Sequence, residues 1–183
     1  MRLYRQTVED FGLYAGLEMD DEQVKKLRTA AGQMSAKMRA VRIVSASSIS
    51  KRELEHRLVQ KGEDPKQAHE AVQWMADLDL VDDAKTAELI VCNCIRKGYG
   101  LARAKQALYE KRIPKEFWEE ALMDYPEQED KILEFLRARL SADADEKDIK
   151  RAVDALMRRG HRYGQIKKAL EKLNFEAEEF PED

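Results

Sequence analysis

The sequence predicts an all-α protein, an elongated array of three tandem three-helix repeats. The first observation is composition: 22 Ala and 18 Leu outnumber the 20 Val, Ile and Thr together by two to one, which favours helix over strand. The second is that no stretch of strand length alternates apolar and polar residues. The third is that one helical pattern recurs along the chain, as it does in proteins built from stacked repeats.

The recurrence has two offsets. A shift of 50 residues carries the apolar face of the helix predicted at 65–78 onto residues 114–125, and it carries Lys61 onto Lys111. A shift of 62 residues takes Gly98 to Gly160 in the third copy. The alternative is that amphipathic helices resemble one another in general, but the matching glycines, turns and basic positions favour a true repeat.

The first half of the chain has readable helix starts and stops. Asp20 and Asp21 predict a helix start, and Gly32 is expected to interrupt that segment. Ser50 followed by Glu53 has the form of a capping box and starts a second helix. Asp64-Pro65 supplies an N-cap and a first-turn proline for the next one.

The second half is punctuated in the same way. Asp82-Asp83 places acids at a helix N-terminus, Gly98 and Gly100 end that helix, and Gly160 ends a later one. The predicted helices are 34–46, 50–61 and 65–78; 83–97, 101–112 and 114–125; and 146–159, 163–173 and a short piece near 175–180. A further helix within 127–140 joins the second and third copies. The predicted organisation is therefore an N-terminal segment 1–33, repeat 1 at 34–80, repeat 2 at 81–126, and 127–183 for the joining helix, repeat 3 and an acidic tail.

Charge follows the repeat. Residues 37–61, 94–112 and 147–172 carry net charges of +5, +5 and +6, whereas residues 63–90 and 114–134 each carry −6. Charged helices are often only solvated faces, but this pattern recurs in each copy. With a net charge of −3 and a pI of about 5.8, the whole chain does not have the excess of positive charge typical of a tight, independent DNA binder. A partner that carries both signs of charge fits better.

Several function classes are not supported. The chain has no glycine-rich phosphate loop, no nucleophile elbow and no His-Glu-x-x-His pattern, so we expect no enzymatic activity and no cofactor. The three histidines are scattered, and Cys92 and Cys94 point to opposite sides of a helix, so we expect no metal site and two buried, unpaired thiols. The longest apolar run is four residues and no secretory signal is evident, so we expect a cytoplasmic protein without membrane contact.

Two corresponding junctions combine bases with aromatic or histidine residues. They read Arg96-Lys97-Gly98-Tyr99-Gly100 in the second copy and Arg158-Arg159-Gly160-His161-Arg162 in the third. Tyr99, between two glycines, either stacks on a partner or folds back to cap its helix.

The motifs resemble a known family. Ser50 to Leu58 (SKRELEHRL) with Lys61-Gly62, then Leu80-Val81-Asp82-Asp83, then Arg96 to Gly100 (RKGYG) with Lys111, are similar in order and spacing to RecX, the regulators of the RecA recombinase. The resemblance covers about residues 34–175. It implies tandem three-helix units and a non-enzymatic modulator that lies in the groove of the RecA filament on single-stranded DNA. The sequence departs from the family pattern at Asp79, Thr86, Leu101 and His161.

The leading hypothesis is therefore a regulator of the RecA filament. It would act as a monomer that binds bare DNA only weakly. The alternatives are a helical nucleic-acid-binding regulator that acts without RecA, and a helical scaffold for another protein. The predicted partner- and DNA-binding residues are the bases and the tyrosine at the recurring junctions: Arg96, Lys97, Tyr99, Arg103, Lys111, Arg112, Arg158, Arg159 and Arg162.

Overall fold

The structure, a computed structural model, describes residues 3–141 and 143–175. This part of the chain forms α-helices and one 3₁₀ turn and contains no β-strand, so the all-α prediction is confirmed. None of the helices in these residues is long and apolar enough to cross a membrane. The helices are α1 (Arg5–Asp10), α2 (Asp21–Ala46), α3 (Lys51–Gln60), α4 (Pro65–Asp77), α5 (Asp83–Arg96), α6 (Leu101–Glu110), α7 (Trp118–Leu122, after the 3₁₀ turn Lys115–Phe117), α8 (Glu129–Arg137), α9 (Glu146–Arg158) and α10 (Tyr163–Lys172).

The chain divides into two compact units, Met1–Thr86 and Ala87–Asp183. The core of the N-terminal unit lies between α2, α3 and α4, and its largest fully buried side chains are Leu54, Leu58 and Met75. Ser50 caps α3 by accepting a hydrogen bond from the Glu53 amide at 3.1 Å, as predicted from the sequence. These three helices share one hydrophobic core, because each buries one apolar face against the other two.

The prediction that Gly32 interrupts the N-terminal segment is wrong. Helix α2 runs without a break from its Asp20 cap to Ala46, and the predicted 33/34 boundary falls inside it. A Cβ atom on residue 32 would lie 2.2 Å from Oε1 of Gln67 on α4. Gly32 therefore leaves room for the end of the Gln67 side chain rather than ending a helix.

The carboxylate of Asp83 links two helix starts in the N-terminal unit. It is 6% exposed and accepts a hydrogen bond from the Lys51 amide at 2.8 Å, while Asp82 accepts one from the Lys85 amide at 3.1 Å. The bond from the Lys85 amide lowers the pKa of Asp82. These two acids begin α5, as the sequence predicts, and one of them also anchors the start of α3.

The C-terminal unit contains two cores. The first joins α5 and α6 to the segment around α7 through Val91, Leu108 and Ile113. The second joins α8, α9 and α10, and its fully buried side chains include Ile132 and Leu156.

Helix α8 is more than a connection between repeats. Ile132 and Leu136 are completely buried in the same core as α9 and α10. The short helical piece predicted near 175–180 lies, beyond Phe175, outside the described residues, and Phe175 itself is not helical and packs on this core. The described partner of α9 and α10 is therefore the helix before them in the chain.

Candidate functional site

Two corresponding turns of the C-terminal unit contact each other through their backbones. The Gly100 amide donates to the carbonyl of Arg159 at 2.9 Å, and the Ala102 amide donates to that of Gly160 at 3.3 Å. A Cβ atom on residue 100 would lie 2.0 Å from the Gly160 oxygen, and Gly160 adopts a left-handed φ of 86°. Glycine is required at both positions. Residue 100 has no space for a side chain, and the backbone at residue 160 would be strained for any residue with a Cβ atom.

His161 lies inside this contact. It is 3% exposed, and its Nε2 lies 3.0 Å from the carbonyl oxygen of Gly98, so Nε2 carries the proton and donates it. Nδ1 is buried without a hydrogen-bond partner among the described residues. Burial lowers the pKa of His161, and the nearby Arg159 lowers it further, whereas the bond to Gly98 acts in the opposite direction. The imidazole is therefore neutral near pH 7.

Beside the paired turns lies a concave surface that we call the arginine cleft. It has a volume of about 280 Å³. Four of the predicted site residues line it together with three that were not predicted. The seven are Tyr99, Arg103, Phe135, Arg139, Ala155, Arg158 and Arg159.

Two guanidinium groups of the arginine cleft lie against one aromatic ring. The Cζ atoms of Arg139 and Arg159 are 5.0 and 4.5 Å from the centre of the Phe135 ring. Such cation–π contacts hold a guanidinium by its face and leave its N–H edge for an oxyanion. The ring thus orients two groups that can each bind a phosphate or a carboxylate.

The arginine cleft carries little compensating negative charge. Arg103 pairs with Glu110 at 3.2 Å, but no carboxylate of the described residues forms an ion pair with Arg139, Arg158 or Arg159. No acidic side chain of this part of the chain lines the cleft. Four like charges in one concavity produce a strongly positive local potential. The arrangement suits a polyanionic ligand.

The other predicted site residues lie elsewhere on the C-terminal unit. Arg96 and Lys97 are exposed at the end of α5, where Arg96 donates to Asn93 at 2.9 Å. Lys111 and Arg112 follow the far end of α6, about 15 Å along the helix from its first residue. Arg162 borders a separate cleft of about 300 Å³ on the paired turns.

Phe135 and Arg139 were missed by the sequence reasoning. The apolar stripe of α8 pointed to a core helix, and the recurring junctions drew attention to other bases. The signal that could have found them is their spacing of four residues, which places an aromatic ring and a base on one side of a helical turn.

The expectation of two buried thiols is half wrong. Both cysteines are free, but Cys92 is exposed and only Cys94 is buried. Burial raises the pKa of the Cys94 thiol. Among the residues that the structure describes, no three His, Cys, Asp or Glu side chains form a group that could hold a metal ion.

The chain is similar in sequence to proteins of one known family. The family model described as RecX, second three-helix domain, matches residues 82–122, a segment that includes Tyr99 and Arg103. A regulatory protein RecX from Halorhodospira halophila is 27% identical over 157 residues, which are 82% of this chain and 97% of that protein. The resemblance to the RecX family is confirmed. A regulatory protein RecX from Clostridioides difficile is also 27% identical, over 95% of this chain and 85% of its own length.

Solved RecX structures share the fold. A crystal structure of regulatory protein RecX superposes with a TM-score of 0.67 at 19% identity, over 91% of this chain and 86% of that one. RecX from Lactobacillus salivarius gives a TM-score of 0.66 at 24% identity, over 79% of this chain and 98% of its own. The helical architecture of this chain is therefore the RecX architecture.

Proposed function

We propose that this protein is a non-enzymatic regulator that binds the RecA filament on single-stranded DNA and modulates its ATP hydrolysis, strand exchange and growth. The protein would thereby regulate DNA repair and recombination. The observation that carries the proposal is the match of residues 82–122 to the second three-helix domain of RecX. The RecX resemblance implies this activity, and the protein acts by occupying the filament rather than by chemistry.

The arginine cleft supports a contact with the phosphates of the filament's DNA. Two of its four guanidinium groups, those of Arg139 and Arg159, are oriented by Phe135. Only Arg103 forms an ion pair with a carboxylate of the described residues, Glu110. Guanidinium binds phosphate in a bidentate geometry that a lysine ammonium does not provide. A regulator that lies along nucleic acid needs such contacts to fix its position.

The segregated charge supports a protein contact beside the DNA contact. Residues 63–90, which include α4, and residues 114–134, which include α7, each carry a net charge of −6. Such segments repel DNA and attract basic protein surfaces. The proposal therefore assigns the basic segments to DNA and to acidic recombinase surface, and the acidic segments to basic recombinase surface.

The direct test is a titration of this protein into the DNA-dependent ATP hydrolysis of RecA. We expect a dose-dependent change for the wild type, and a weaker effect for the double variant Arg96→Glu with Lys97→Glu. Both residues are exposed, so the circular dichroism spectrum and the melting temperature should stay nearly unchanged. Reversal of Lys25 and Arg28, exposed bases of α2 outside the basic and acidic segments, is the matched control and should leave the effect intact. An ATPase rate that the wild-type protein does not alter at any concentration contradicts the proposal.

The arginine cleft also favours a second candidate, a nucleic-acid-binding regulator that acts without RecA. A pull-down of RecA separates the two, performed with and without single-stranded DNA and an ATP analogue. Capture that requires both additions supports the filament regulator. Tight DNA binding without any capture of RecA supports the second candidate.

A further inference from the structure

A second basic cleft lies in the N-terminal unit and contains none of the predicted site residues. This N-terminal cleft has a volume of about 460 Å³ and lies between the second half of α2 and α3, with Tyr4 also on its wall. Four cations line it, and no acidic side chain of the described residues does. Its lining includes Tyr4, Arg39, Arg42, Ile43, Arg57 and Lys61.

Two carboxylates that do not line the N-terminal cleft pair with Arg39 and Arg57. Nε of Arg39 lies 2.7 Å from Oε1 of Glu63, whose side chain is 7% exposed and also accepts a hydrogen bond from Ser35 at 2.9 Å. Nε of Arg57 lies 2.8 Å from Oε1 of Glu53. An arginine held by its Nε edge keeps N–H donors on its terminal amino groups for a ligand. The two acids therefore orient these guanidinium groups without lining the cleft.

The other two cations have no such restraint. Arg42 and Lys61 are exposed, and neither side chain forms an ion pair with a described residue. The backbone carbonyl of Lys61 accepts a hydrogen bond from Nη1 of Arg39 at 3.0 Å, which fixes the chain at this point. This bond does not involve the Lys61 ammonium. With four cations and two carboxylates, the N-terminal cleft is a positive concavity.

The composition of the N-terminal cleft is similar to that of the arginine cleft. Each has four cations, one tyrosine, apolar wall and no lining acid among the described residues, although different helices build it. Proteins that bind single strands combine cations for the phosphates with aromatic rings on which bases stack. The apolar contribution comes from Ile43 in one cleft and from Phe135 in the other.

We propose that the N-terminal cleft binds the sugar-phosphate backbone of single-stranded nucleic acid, with a base against Tyr4. That the polymer is single-stranded nucleic acid rests on the function proposed above. That the N-terminal cleft binds a polyanion rests on its four cations and its lack of a lining acid among the described residues. Each of the two units then carries one cleft of this chemistry for single-stranded nucleic acid.

The test measures binding of the full chain to a fluorescent oligothymidylate by anisotropy over a series of salt concentrations. The variant reverses Arg42 and Lys61 to Glu. The matched control reverses Lys25 and Arg28 to Glu, which changes the charge equally on exposed positions of α2. Arg28 lies 14 residues, or about 21 Å along the helix axis, from Arg42, which is about two and a half Debye lengths at physiological salt.

We expect the cleft variant to bind about tenfold more weakly at physiological salt and its log–log salt dependence to be shallower by about 1.4, the contribution of two lost phosphate contacts. The control should bind within about twofold of the wild type. The side-chain Nε–H resonances of Arg39 and Arg57 should shift on addition of oligothymidylate in the wild type and stay in place in the cleft variant. Equal affinity of the cleft variant and the control overturns the proposal, and so does a wild type that binds no oligothymidylate at low salt.

The same variants in the RecA ATPase assay separate this proposal from the proposed function. If the cleft variant loses strand binding and the wild type does not alter RecA, the cleft assignment stands and the proposed function fails. If the cleft variant binds the strand normally but no longer alters RecA, the N-terminal cleft contacts carboxylates of the recombinase, and the cleft assignment is wrong while the proposed function stands.

Discussion

At the scale of single residues, glycine matters most at Gly100. Its amide donates to Arg159, and a Cβ atom there would overlap the carbonyl of Gly160. Backbone atoms cannot move aside as a flexible side chain can, so the two turns would have to separate. Gly32 differs, because a Cβ atom there would meet only the end of the Gln67 side chain.

Gly100→Ala is expected to destabilise the C-terminal unit by about 1–3 kcal/mol because it overpacks a backbone contact. Gly164→Ala is the matched control, since nothing lies within 4 Å of a Cβ atom at that position and Ala favours helix. Chemical denaturation of both variants measures the difference. Equal midpoints for the two variants would show that the turns are not in close contact.

The lowered pKa of the buried His161 predicts that the protein loses stability in mild acid. Its folded pKa is lowered below the ordinary value of 6.5, mainly by burial, so the unfolded chain binds the proton first as the pH falls. The free energy of unfolding should therefore fall from about pH 7 toward pH 5 through this group. Gln at this position keeps an N–H donor for Gly98 and does not titrate.

The measurement is urea denaturation of the wild type and His161→Gln at several pH values. The wild type should lose stability relative to the variant as the pH falls, because only the wild type carries the buried imidazole. A difference in unfolding free energy that is constant over this range contradicts the prediction.

At the scale of elements, α6 presents two different faces. Leu108 is completely buried between α5 and the α7 segment, whereas its neighbour Tyr109 is 73% exposed. Leu108→Ala should cost about 2–5 kcal/mol of stability, because it removes buried apolar surface and leaves a cavity. Tyr109→Ala should change stability by no more than about 0.5 kcal/mol. Thermal unfolding followed by circular dichroism compares them, and similar melting temperatures would place Leu108 outside the core.

Helix α8 shows how an element gains a second role through its neighbours. Its apolar stripe places Ile132 and Leu136 in the core, while Phe135 on an adjacent face receives the guanidinium of Arg159 from the end of α9. The sequence predicts the helix and its buried face. It does not predict the contact with Arg159, because that contact depends on how α8 packs beside α9.

At the scale of the whole molecule, charge is separated rather than excessive. A net charge of −3 coexists with segments of +5, +5 and +6. Binding to bare single-stranded DNA should therefore be weak and should fall steeply with salt, by about 0.7 in the log–log slope for each phosphate contact. Anisotropy measurements with the wild type at increasing salt test this expectation. Nanomolar affinity that does not depend on salt would favour the regulator that acts without RecA.

The residues that line the two clefts could not be identified from charge composition alone. Counting charges predicts that helices such as α3 and α6 lie in basic segments, but it does not show which bases converge. Arg158 and Arg159 do converge with Arg103, although more than fifty residues separate them in sequence. Lys111 and Arg112 belong to the same basic segment as Arg103 and lie outside the arginine cleft.

Apart from α2, the sequence by itself determined where the main helices lie, because caps, glycines and apolar spacing act within a few residues of one another. Ser50, Asp82 and Asp83 mark helix starts that the structure confirms. Tertiary structure alone decided the role of Gly32 and the composition of both clefts. These features depend on which surfaces meet, and a surface is shared by residues that lie far apart along the chain. Arg39 held by Glu63, and Arg139 stacked on Phe135 beside Arg159, exist only because packed helices bring these side chains within a few ångströms.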